Sequence, residues 1–358
     1  MRTPQERETF STVLEKLAMK ALRYDQPWKM TMVDLPKPTP SPGEVLLKSE
    51  AVGICGSDVH GFTGESGRRK PGMVMGHEIA GRVEELGDGV DSLEEGDMVA
   101  VYNLVSCGKC DYCLQGREQI CPEKRMIGVN CGQWGAMAEY FTFPASGLFK
   151  LEEGVSPAVG LLAEPIAVGM HAIGHMNPDP DDVLAVVGAG MIGIGVVTAL
   201  KHLGVKRVFA IDPLEEKLET VRKVGAETIQ VGKQDVAQVI HDATGGQGVR
   251  GAFEAVGTGK TVRAAYDLCG AGGTLVIIGN LGQEFTLPLQ EVTSNETIIR
   301  GSYAFTRSDF ANAVKLINSK QIALDHLITN SCSLEETLEA MTKLAKGELQ
   351  EIKMVIYP

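Results

Sequence analysis

The sequence lacks the features that mark nucleic-acid-binding, membrane-spanning and secreted proteins. Lys and Arg number 34 against 46 Asp and Glu, which gives a formal net charge of -12, whereas nucleic acid is bound through a basic surface. No apolar run reaches the roughly 20 residues needed to span a bilayer. The polar, charged N-terminus does not resemble a secretory signal. We therefore expect neither a nucleic acid nor a membrane as a partner.

Cysteine is scarce as well. The 358 residues include eight cysteines, and half of these are clustered, which favours metal ligation in a reducing compartment over a disulfide framework. We expect a cytoplasmic protein for this reason. The chain is also too long for one small core, so two domains are the default expectation.

Residues 1–18 are predicted to form an N-terminal extension. Thr3–Glu6 resembles a helix start, with a capping hydroxyl, a first-turn proline and a glutamate three positions after the threonine. Apolar residues then recur at helical spacing from Phe10 to Leu17. Two interpretations stay open: a short amphipathic helix packed on the body or on a partner subunit, or an unstructured leader.

Residues 19–165 have the pattern of an irregular β-barrel. Short β-type segments such as Glu44–Lys48 and Ala80–Leu86 alternate with turns rich in proline and glycine, among them Pro36–Gly43. We expect the loops of this barrel to hold the segment around Cys55.

That segment contains side chains that bind zinc. Cys55 is followed by Ser57 and His60, and then by His77-Glu78. A thiolate, an imidazole and a carboxylate are all zinc ligands, and Ser57 and His60 would place a hydroxyl and a second imidazole beside the metal. A metal next to such groups predicts a reaction centre. The competing interpretation is a buried free cysteine with two unrelated histidines.

A second cluster consists of four cysteines, Cys107, Cys110, Cys113 and Cys121. Four thiolates this close in sequence suit a closed tetrahedral zinc site. An iron–sulfur cluster is the alternative, but the bacterial ferredoxin motif has a shorter spacing before its last cysteine. We predict a structural zinc, because four protein ligands leave no position for a substrate.

A dinucleotide-binding pattern follows. The buried strand candidate Val183–Val187 runs into Gly188, Gly190 and Gly193 of a Gly-x-Gly-x-x-Gly turn, an apolar helix follows, and a second strand ends at Asp212. The glycines permit the turn, the approach of the pyrophosphate and the packing of helix on strand. Asp212 would accept hydrogen bonds from the adenosine ribose and repel a 2′-phosphate, which favours NAD over NADP. Further candidate NAD contacts are Ile192, Lys217, Val256 and Gly279.

Strands and helices continue to alternate up to about residue 303. Six strand candidates with intervening helices predict a doubly wound parallel sheet, so the fold class is α/β. We therefore predict a zinc domain at 19–165, a coenzyme domain at 166–303 and a return to the first domain at 304–358. The returning segment is predicted to contain a helix Asp309–Asn318, a β-like Ile322–Leu324, a helix Leu334–Lys346 and a strand Lys353–Ile356.

Together these motifs resemble the zinc-dependent medium-chain dehydrogenase/reductase family, the alcohol dehydrogenase superfamily. The resemblance covers the chain from Met19 onward and rests on Cys55–His60, Gly76–Glu78, the four cysteines, Ala138–Tyr140 and Gly188–Gly193. It implies a GroES-like catalytic domain, a Rossmann coenzyme domain, NAD, and two zinc ions per subunit, one catalytic and one structural. It also implies a homo-oligomer, a dimer or a tetramer, that acts on a small molecule.

Within the family the chain resembles the sorbitol, threonine and butanediol dehydrogenase branches. Glu164-Pro165 stands where the alcohol dehydrogenase branch has a cysteine ligand. These branches act on secondary hydroxyls of polyols or hydroxy-amino acids, which they convert to ketones with NAD. One departure is Ala304, because polyol dehydrogenases carry an arginine at the matching position.

The resemblance also implies roles around the catalytic zinc, which would act as a Lewis acid on the substrate oxygen. Cys55 and His77 would be ligands, and either Glu78 or Glu164 would complete the set. Asp58 would accept a hydrogen bond from His77 and fix its tautomer.

Proton transfer is assigned to two further residues. Ser57 would take the proton of the substrate hydroxyl and pass it, through the nicotinamide ribose, to His60 at the surface. The candidate catalytic residues are therefore Ser57, His60, Asp58 and Glu164.

Several alternatives stay open. One is an anionic polyol, phosphorylated, carboxylated or sulfonated, since Arg68-Arg69-Lys70 could attract an anion; a solvated loop is nevertheless the expected state of these residues. Another is a non-catalytic NAD-binding protein on the same fold. A third is a zinc reductase of aldehydes or enones with NADPH, which Asp212 disfavours. Cys131 and Trp134 are candidate pocket residues.

Overall fold

The computed structural model describes residues 18–130 and 135–358. The predicted helix within the N-terminal extension and the candidate pocket residues Cys131 and Trp134 lie outside the described residues. Ala18, which the sequence placed in the extension, begins the first strand.

The described residues form the following strands and α-helices. The strands are β1 Ala18–Gln26, β2 Lys29–Pro36, β3 Glu44–Ile54, β4 Glu78–Leu86, β5 Met98–Val101, β6 Leu104–Val105, β7 Arg125–Met126, β8 Tyr140–Pro144, β9 Leu148–Lys150, β10 Val183–Val187, β11 Arg207–Asp212, β12 Glu227–Gln230, β13 Val249–Glu254, β14 Cys269–Ile277, β15 Ile298–Gly301, β16 Ile328–Ser333 and β17 Lys353–Tyr357. The α-helices are α1 Gly56–Phe62, α2 Asp111–Leu114, α3 Pro157–Gly160, α4 Ala163–Gly174, α5 Met191–His202, α6 Glu215–Arg222, α7 Val236–Thr244, α8 Gly259–Leu268, α9 Leu289–Ser294, α10 Arg307–Ser319 and α11 Thr337–Ala345.

The chain divides into two compact units. The first contains the chain up to Cys107 together with Pro122–Leu162 and Ile328–Pro358, and the second contains Gly108–Cys121 and Ala163–Leu327. The return to the first unit therefore begins at Ile328 and not at residue 304, because α10 packs against α4 within the second unit. The boundary after Leu162 lies three residues before the predicted boundary after residue 165, because α4 belongs to the second unit and begins at Ala163.

The sheet of the first unit is centred on β3. The strand order is β16-β17-β3-β4-β5-β9, and β8 also pairs with β3. β3 runs antiparallel to both β4 and β17, so that Gly53 lies opposite Glu78 and Ile54 lies opposite Met354. The end of β3 therefore meets the starts of β4 and β17. Buried apolar residues, among them Phe62, Met75 and Phe141, fill the interior of this unit.

The second unit contains the predicted parallel sheet. Its six strands follow the order β12-β11-β10-β13-β14-β15, and each neighbouring pair is parallel. The order reverses at β10, which lies between β11 and β13, and ligands of such sheets bind at the carboxyl ends of the strands beside this reversal. The predicted fold class is confirmed in both units.

Three local features of the structure differ from what the sequence predicted. The Cys55 segment continues into a short helix, α1, rather than a loop. The β-like Ile322–Leu324 is not a strand, because a 3₁₀ turn at Asp325–Leu327 precedes β16. Strand β2 was not predicted, and it forms a hairpin with β1.

One apolar helical stretch, Pro157–Gly174, has the length and composition of a membrane-crossing helix. The protein itself buries 78% of this stretch, and Ala163, Ile166 and Ala167 within it are fully covered. Burial in the protein core accounts for its apolar composition.

Candidate active site

Three predicted zinc ligands come together in the first unit. The ligand atoms of Cys55, His77 and Glu78 all lie within 4.8 Å of one another. The antiparallel register explains this, because Cys55 follows the end of β3 while His77 and Glu78 stand at the start of β4. His77 and Glu78 are buried and Cys55 is partly exposed. A thiolate and an imidazole beside a carboxylate fit a zinc ion.

Glu164, the other candidate ligand, belongs to the second unit. It lies in the first turn of α4 and is 5% exposed. A carboxylate is rarely this buried unless it is paired or bound to a metal.

Asp58 contacts two of the three candidate ligands in the first unit, Cys55 and His77. Its Oδ2 accepts a hydrogen bond of 3.2 Å from the backbone N–H of Cys55, and its Oδ1 lies 3.3 Å from His77 Nδ1. The latter separation is long for a hydrogen bond and is a close polar contact. Burial alone would raise the pKa of Asp58, but the neighbouring His77 and Arg69 hold this pKa well below its usual range.

Arg69 corrects the expectation of a solvated basic loop. Its side chain is 1% exposed, and its Nη2 donates to Asp58 Oδ1 at 2.8 Å. Arg68 and Lys70 on either side are exposed, as expected. Three consecutive basic residues look alike in sequence, so the inward turn of the middle one could not be predicted.

Glu78 has a buried cation of its own. Lys353 Nζ lies 2.7 Å from Oε1 and 2.5 Å from Oε2 of Glu78, and it also donates to the carbonyl of Ile54 at 3.3 Å. Both side chains of the pair are at most 2% exposed. Lys353 could not be linked to Glu78 from the sequence, because the two residues are 275 positions apart along the chain. Only the pairing of β17 with β3 brings it there.

The two proton-transfer candidates lie on α1. Ser57 is exposed in the first turn of the helix, and His60 follows one turn later, with a side chain that is 42% exposed. Residues three apart on a helix lie on one face. His60 Nδ1 is 2.8 Å from Oε2 of Glu65, and this partner was not predicted from the sequence.

The four cysteines of the second cluster also converge. The sulfur atoms of Cys107, Cys110, Cys113 and Cys121 lie within 4.8 Å of one another, and the Cys110 and Cys113 sulfurs are 3.5 Å apart. Zinc with Zn–S bonds of about 2.3 Å holds tetrahedral sulfurs roughly 3.8 Å apart. The arrangement therefore fits a closed four-thiolate zinc site.

The glycine turn after β10 is shaped for a dinucleotide. Gly188 has φ +98°, and a Cβ on Gly193 would overlap the carbonyl oxygen of Gly188. Among the described residues, a Cβ on Gly190 would meet nothing within 4 Å, so this glycine faces open space there at the start of α5. A helix N-terminus with an open approach favours a phosphate group, and the turn fits the pyrophosphate of NAD.

Asp212 lies beside this turn at the end of β11. Its Oδ2 accepts from the backbone N–H of Ala189 at 2.9 Å, and its Oδ1 accepts from that of Leu214 at 2.9 Å. Each carboxylate oxygen can accept more than one hydrogen bond, so both retain capacity for ribose hydroxyls. Ile192 and Lys217 are partly exposed on the helices α5 and α6 that follow β10 and β11.

Glu254 organises the remaining coenzyme candidates and was missed in the sequence. It is fully buried at the end of β13. Its Oε1 accepts from the N–H groups of Val256 and Gly257 at 2.9 and 2.7 Å. Its carbonyl oxygen accepts from the N–H groups of Ile278 and Gly279. One residue thus holds together the two turns that carry Val256 and Gly279.

His171 and His175 belong to a polar cluster in the second unit. His171 Nδ1 is 2.8 Å from Asp309 Oδ2 on α10, and its Nε2 is 3.3 Å from Gln119 Nε2. The two histidine rings meet edge to face. The cluster ties the segment that carries three of the four clustered cysteines to α4 and α10.

Comparison with known proteins identifies the family. The alcohol dehydrogenase GroES-like domain matches residues 41–153, and the zinc-binding dehydrogenase domain matches residues 192–319. The sorbitol dehydrogenase of Bacillus subtilis (strain 168) is 32% identical over 346 residues, which cover 95% of this chain and 97% of that protein. The chain belongs to the zinc-dependent medium-chain dehydrogenase/reductase family.

Further members of the family match over nearly the full length. The D-arabitol-phosphate dehydrogenase of Enterococcus avium is 30% identical over 351 residues, 97% of this chain and 98% of that protein. A solved alcohol dehydrogenase from Escherichia coli CFT073, complexed with NADH, has a TM-score of 0.86 at 28% identity and covers 95% of this chain and 99% of its own. A solved zinc-binding dehydrogenase from Sinorhizobium meliloti 1021, bound to NADP, has a TM-score of 0.88 at 28% identity with the same coverage.

Family membership and the two sets of metal-binding side chains both indicate a zinc-dependent dehydrogenase. This medium-chain dehydrogenase is an NAD-dependent oxidoreductase with zinc at its active centre and a second zinc in the four-cysteine site. The interpretation of the four cysteines as an iron–sulfur site is thereby set aside.

Proposed function

We propose that this medium-chain dehydrogenase reversibly oxidises a secondary hydroxyl of a polyol or sugar alcohol to a ketone, with NAD as the acceptor. The observation that carries the proposal is the donor set, which pairs one thiolate and one imidazole with carboxylates, where alcohol dehydrogenases have a second thiolate. Two of the matched relatives are named for sorbitol and for arabitol phosphate.

Zinc, when bound, supplies a Lewis acid that lowers the pKa of the substrate hydroxyl. Cys55 and His77 are the ligands that we assign to it. Glu78, whose carboxylate lies within 4.8 Å of the ligand atoms of Cys55 and His77, or Glu164 would complete the set. The Glu78 carboxylate is also paired with Lys353, so it would bind the metal in competition with that ion pair.

Ser57 and His60 carry the proton away from the substrate. The Ser57 hydroxyl accepts the proton of the alcohol, and His60 delivers a proton to water at the surface. A path through the nicotinamide ribose joins the two, as the family resemblance implies. Glu65 holds His60 Nδ1, which orients the ring so that its Nε2 is left to exchange protons along the path.

The coenzyme residues hold NAD so that its nicotinamide can accept a hydride. The Gly188–Gly193 turn and the N-terminus of α5 bind the pyrophosphate. Asp212 accepts from the adenosine ribose, and its charge repels a 2′-phosphate. Glu254 fixes the backbone of Val256 and Gly279, which lie at the carboxyl ends of the strands where such sheets bind their ligands.

An anionic polyol is the second candidate substrate. The exposed Arg68 and Lys70 leave two cations in the loop before His77, and one relative is named for a phosphorylated arabitol. The buried Arg69 is committed to Asp58, so the loop offers less positive charge than its sequence suggests. This observation favours a neutral substrate.

A substrate panel tests the proposal. Sorbitol, xylitol, arabitol, 2,3-butanediol and L-threonine are compared with their phosphorylated or carboxylated counterparts, and NADH formation is measured by absorbance. We expect at least one neutral secondary alcohol to be turned over with the highest kcat/KM. Turnover restricted to anionic polyols would replace the first candidate with the second, and no turnover in the whole panel would contradict both.

A further inference from the structure

Arg69 is the one member of its basic triplet that turns into the protein. Arg68 and Lys70 are exposed, whereas the Arg69 side chain is 1% exposed. Its Nη2 donates to Asp58 Oδ1 at 2.8 Å and lies 3.4 Å from the carbonyl oxygen of Ser57. A buried guanidinium is costly unless its charge is compensated, so the Asp58 carboxylate is its necessary partner.

Helix α1 leaves room for the Arg69 side chain at Gly61. A Cβ on Gly61 would lie 2.5 Å from Arg69 Cγ and 3.0 Å from Arg69 Nε, and carbon atoms do not approach so closely. Gly61 therefore provides the space in which the stem of Arg69 crosses α1. The guanidinium reaches Asp58 only because this position has no side chain.

Arg69 can act on the metal centre through Asp58. Asp58 accepts from the backbone N–H of Cys55 and contacts His77 Nδ1, so the positions of Cys55 and His77 both depend on it. The contact with His77 is long at 3.3 Å, and a rotation of the carboxylate would lose it. Groups that orient metal ligands commonly contribute 10–100-fold to metal affinity.

We propose that Arg69 is a positioning residue of the catalytic zinc site. By fixing the Asp58 carboxylate and the first turn of α1, it holds Cys55 and His77 in the arrangement that retains zinc. The proposal rests on the zinc site of the proposed function and is independent of the substrate.

Zinc release tests this proposal without any measurement of turnover. The zinc-loaded protein is mixed with a chelating dye, and the release of each of the two zinc ions is followed over time. The structural zinc in the four-cysteine site serves as the internal reference. We expect Arg69→Met to release the catalytic zinc about 10-fold faster, with the structural zinc unchanged. Arg69→Lys keeps the charge without the planar fork and should fall between Arg69→Met and the wild type. Lys70→Met is the matched control and should release both ions at the wild-type rate.

A double-variant cycle separates this role from general stability. If Arg69 acts through Asp58, the Asp58→Asn/Arg69→Met protein should lose zinc no faster than Asp58→Asn alone. The double variant removes both charges of the buried pair, so it decides the question even if Arg69→Met fails to fold.

Three results would overturn the proposal. The first is release of the catalytic zinc at the wild-type rate from both Arg69 variants, and the second is an equal increase in the release rates of the catalytic and the structural zinc. The third is faster loss of the catalytic zinc from the double variant than from Asp58→Asn alone. A wild-type protein that binds no catalytic zinc would contradict the proposed function itself.

Discussion

At the scale of single residues, the metal centre is surrounded by paired buried charges. Asp58 is paired with Arg69, and Glu78 is paired with Lys353. Buried ion pairs contribute little net stability, but the loss of one partner leaves an uncompensated charge and is strongly destabilising. The two cations offset the negative charge that Asp58 and Glu78 place beside the Cys55 thiolate.

Proton transfer is the residue-level role that is simplest to test. Loss of His60 should slow alcohol oxidation most near and below neutral pH, where solvent base is scarce. General acid–base groups contribute about 10²–10⁴-fold, and His60→Ala should fall at the low end because water can bypass a terminal group. Ser57→Ala should cost more, since its hydroxyl takes the proton first. The pH dependence of kcat and its rescue by added imidazole are the measurements.

Glu65→Gln serves as the matched variant for the same path. It keeps a hydrogen-bond partner for His60 and removes the charge, so its effect should be smaller than that of His60→Ala and have the same pH dependence. Negligible, equal effects in Ser57→Ala and His60→Ala would mean that the proton leaves by another route.

At the scale of secondary structure elements, predictability follows the range of the interactions. The strand Val183–Val187 and the turn after it were predicted with their bounds, because the signal is local: an apolar run followed by glycines. The positions of Lys353 and Arg69 could not be predicted, since one depends on a strand pairing across 275 residues and the other on a side-chain direction. The Ile322–Leu324 segment was wrongly predicted to be β-like from a local signal. Its three apolar residues suit a turn next to the buried Leu327 as well as they suit a strand.

The β10–α5–β11 unit makes a sharp prediction about coenzyme choice. Asp212→Asn removes the charge that excludes a 2′-phosphate while it keeps one carbonyl acceptor for the backbone. NADH affinity should fall about 10- to 100-fold, the range expected for hydrogen bonds to a charged group, and NADPH affinity should rise. Quenching of protein fluorescence by each nucleotide measures both without a substrate.

Glu216→Gln is a suitable control for this variant, because Glu216 is an exposed acid on the adjacent helix α6. It should leave the ratio of the two affinities unchanged. Preference of the wild-type protein for NADPH would contradict the role of Asp212 at once.

At the scale of the whole molecule, the parallel sheet ends in an exposed strand. β15 pairs with β14 on one side, and its residues Ile298 and Ile299 are 44% and 37% exposed. Leu289 and Phe285, which precede it, are also exposed. Unpaired edges with apolar side chains favour association, and a twofold axis would allow the edges of two identical strands to pair. We therefore propose that a second copy of the chain covers this edge.

Sedimentation analysis tests the association. Ile299→Lys should convert the protein to smaller species at micromolar concentration, because a lysine is costly to bury at such an interface. Leu203→Lys introduces the same charge at an exposed leucine after α5 and should leave the mass unchanged. A wild-type protein that sediments as a monomer would contradict the proposal.

Transfer of deuterium from substrate to coenzyme tests whether the zinc-loaded protein oxidises an alcohol by hydride transfer to NAD. The best alcohol of the panel, labelled at its carbinol carbon, is incubated with NAD and either the zinc-loaded protein or protein from which the catalytic zinc has been removed. We expect the zinc-loaded protein to form the ketone and NADH with deuterium at C4 of the nicotinamide, and we expect zinc removal to abolish both products. Equal turnover by the two preparations, or a ketone formed without label in NADH, would contradict this expectation.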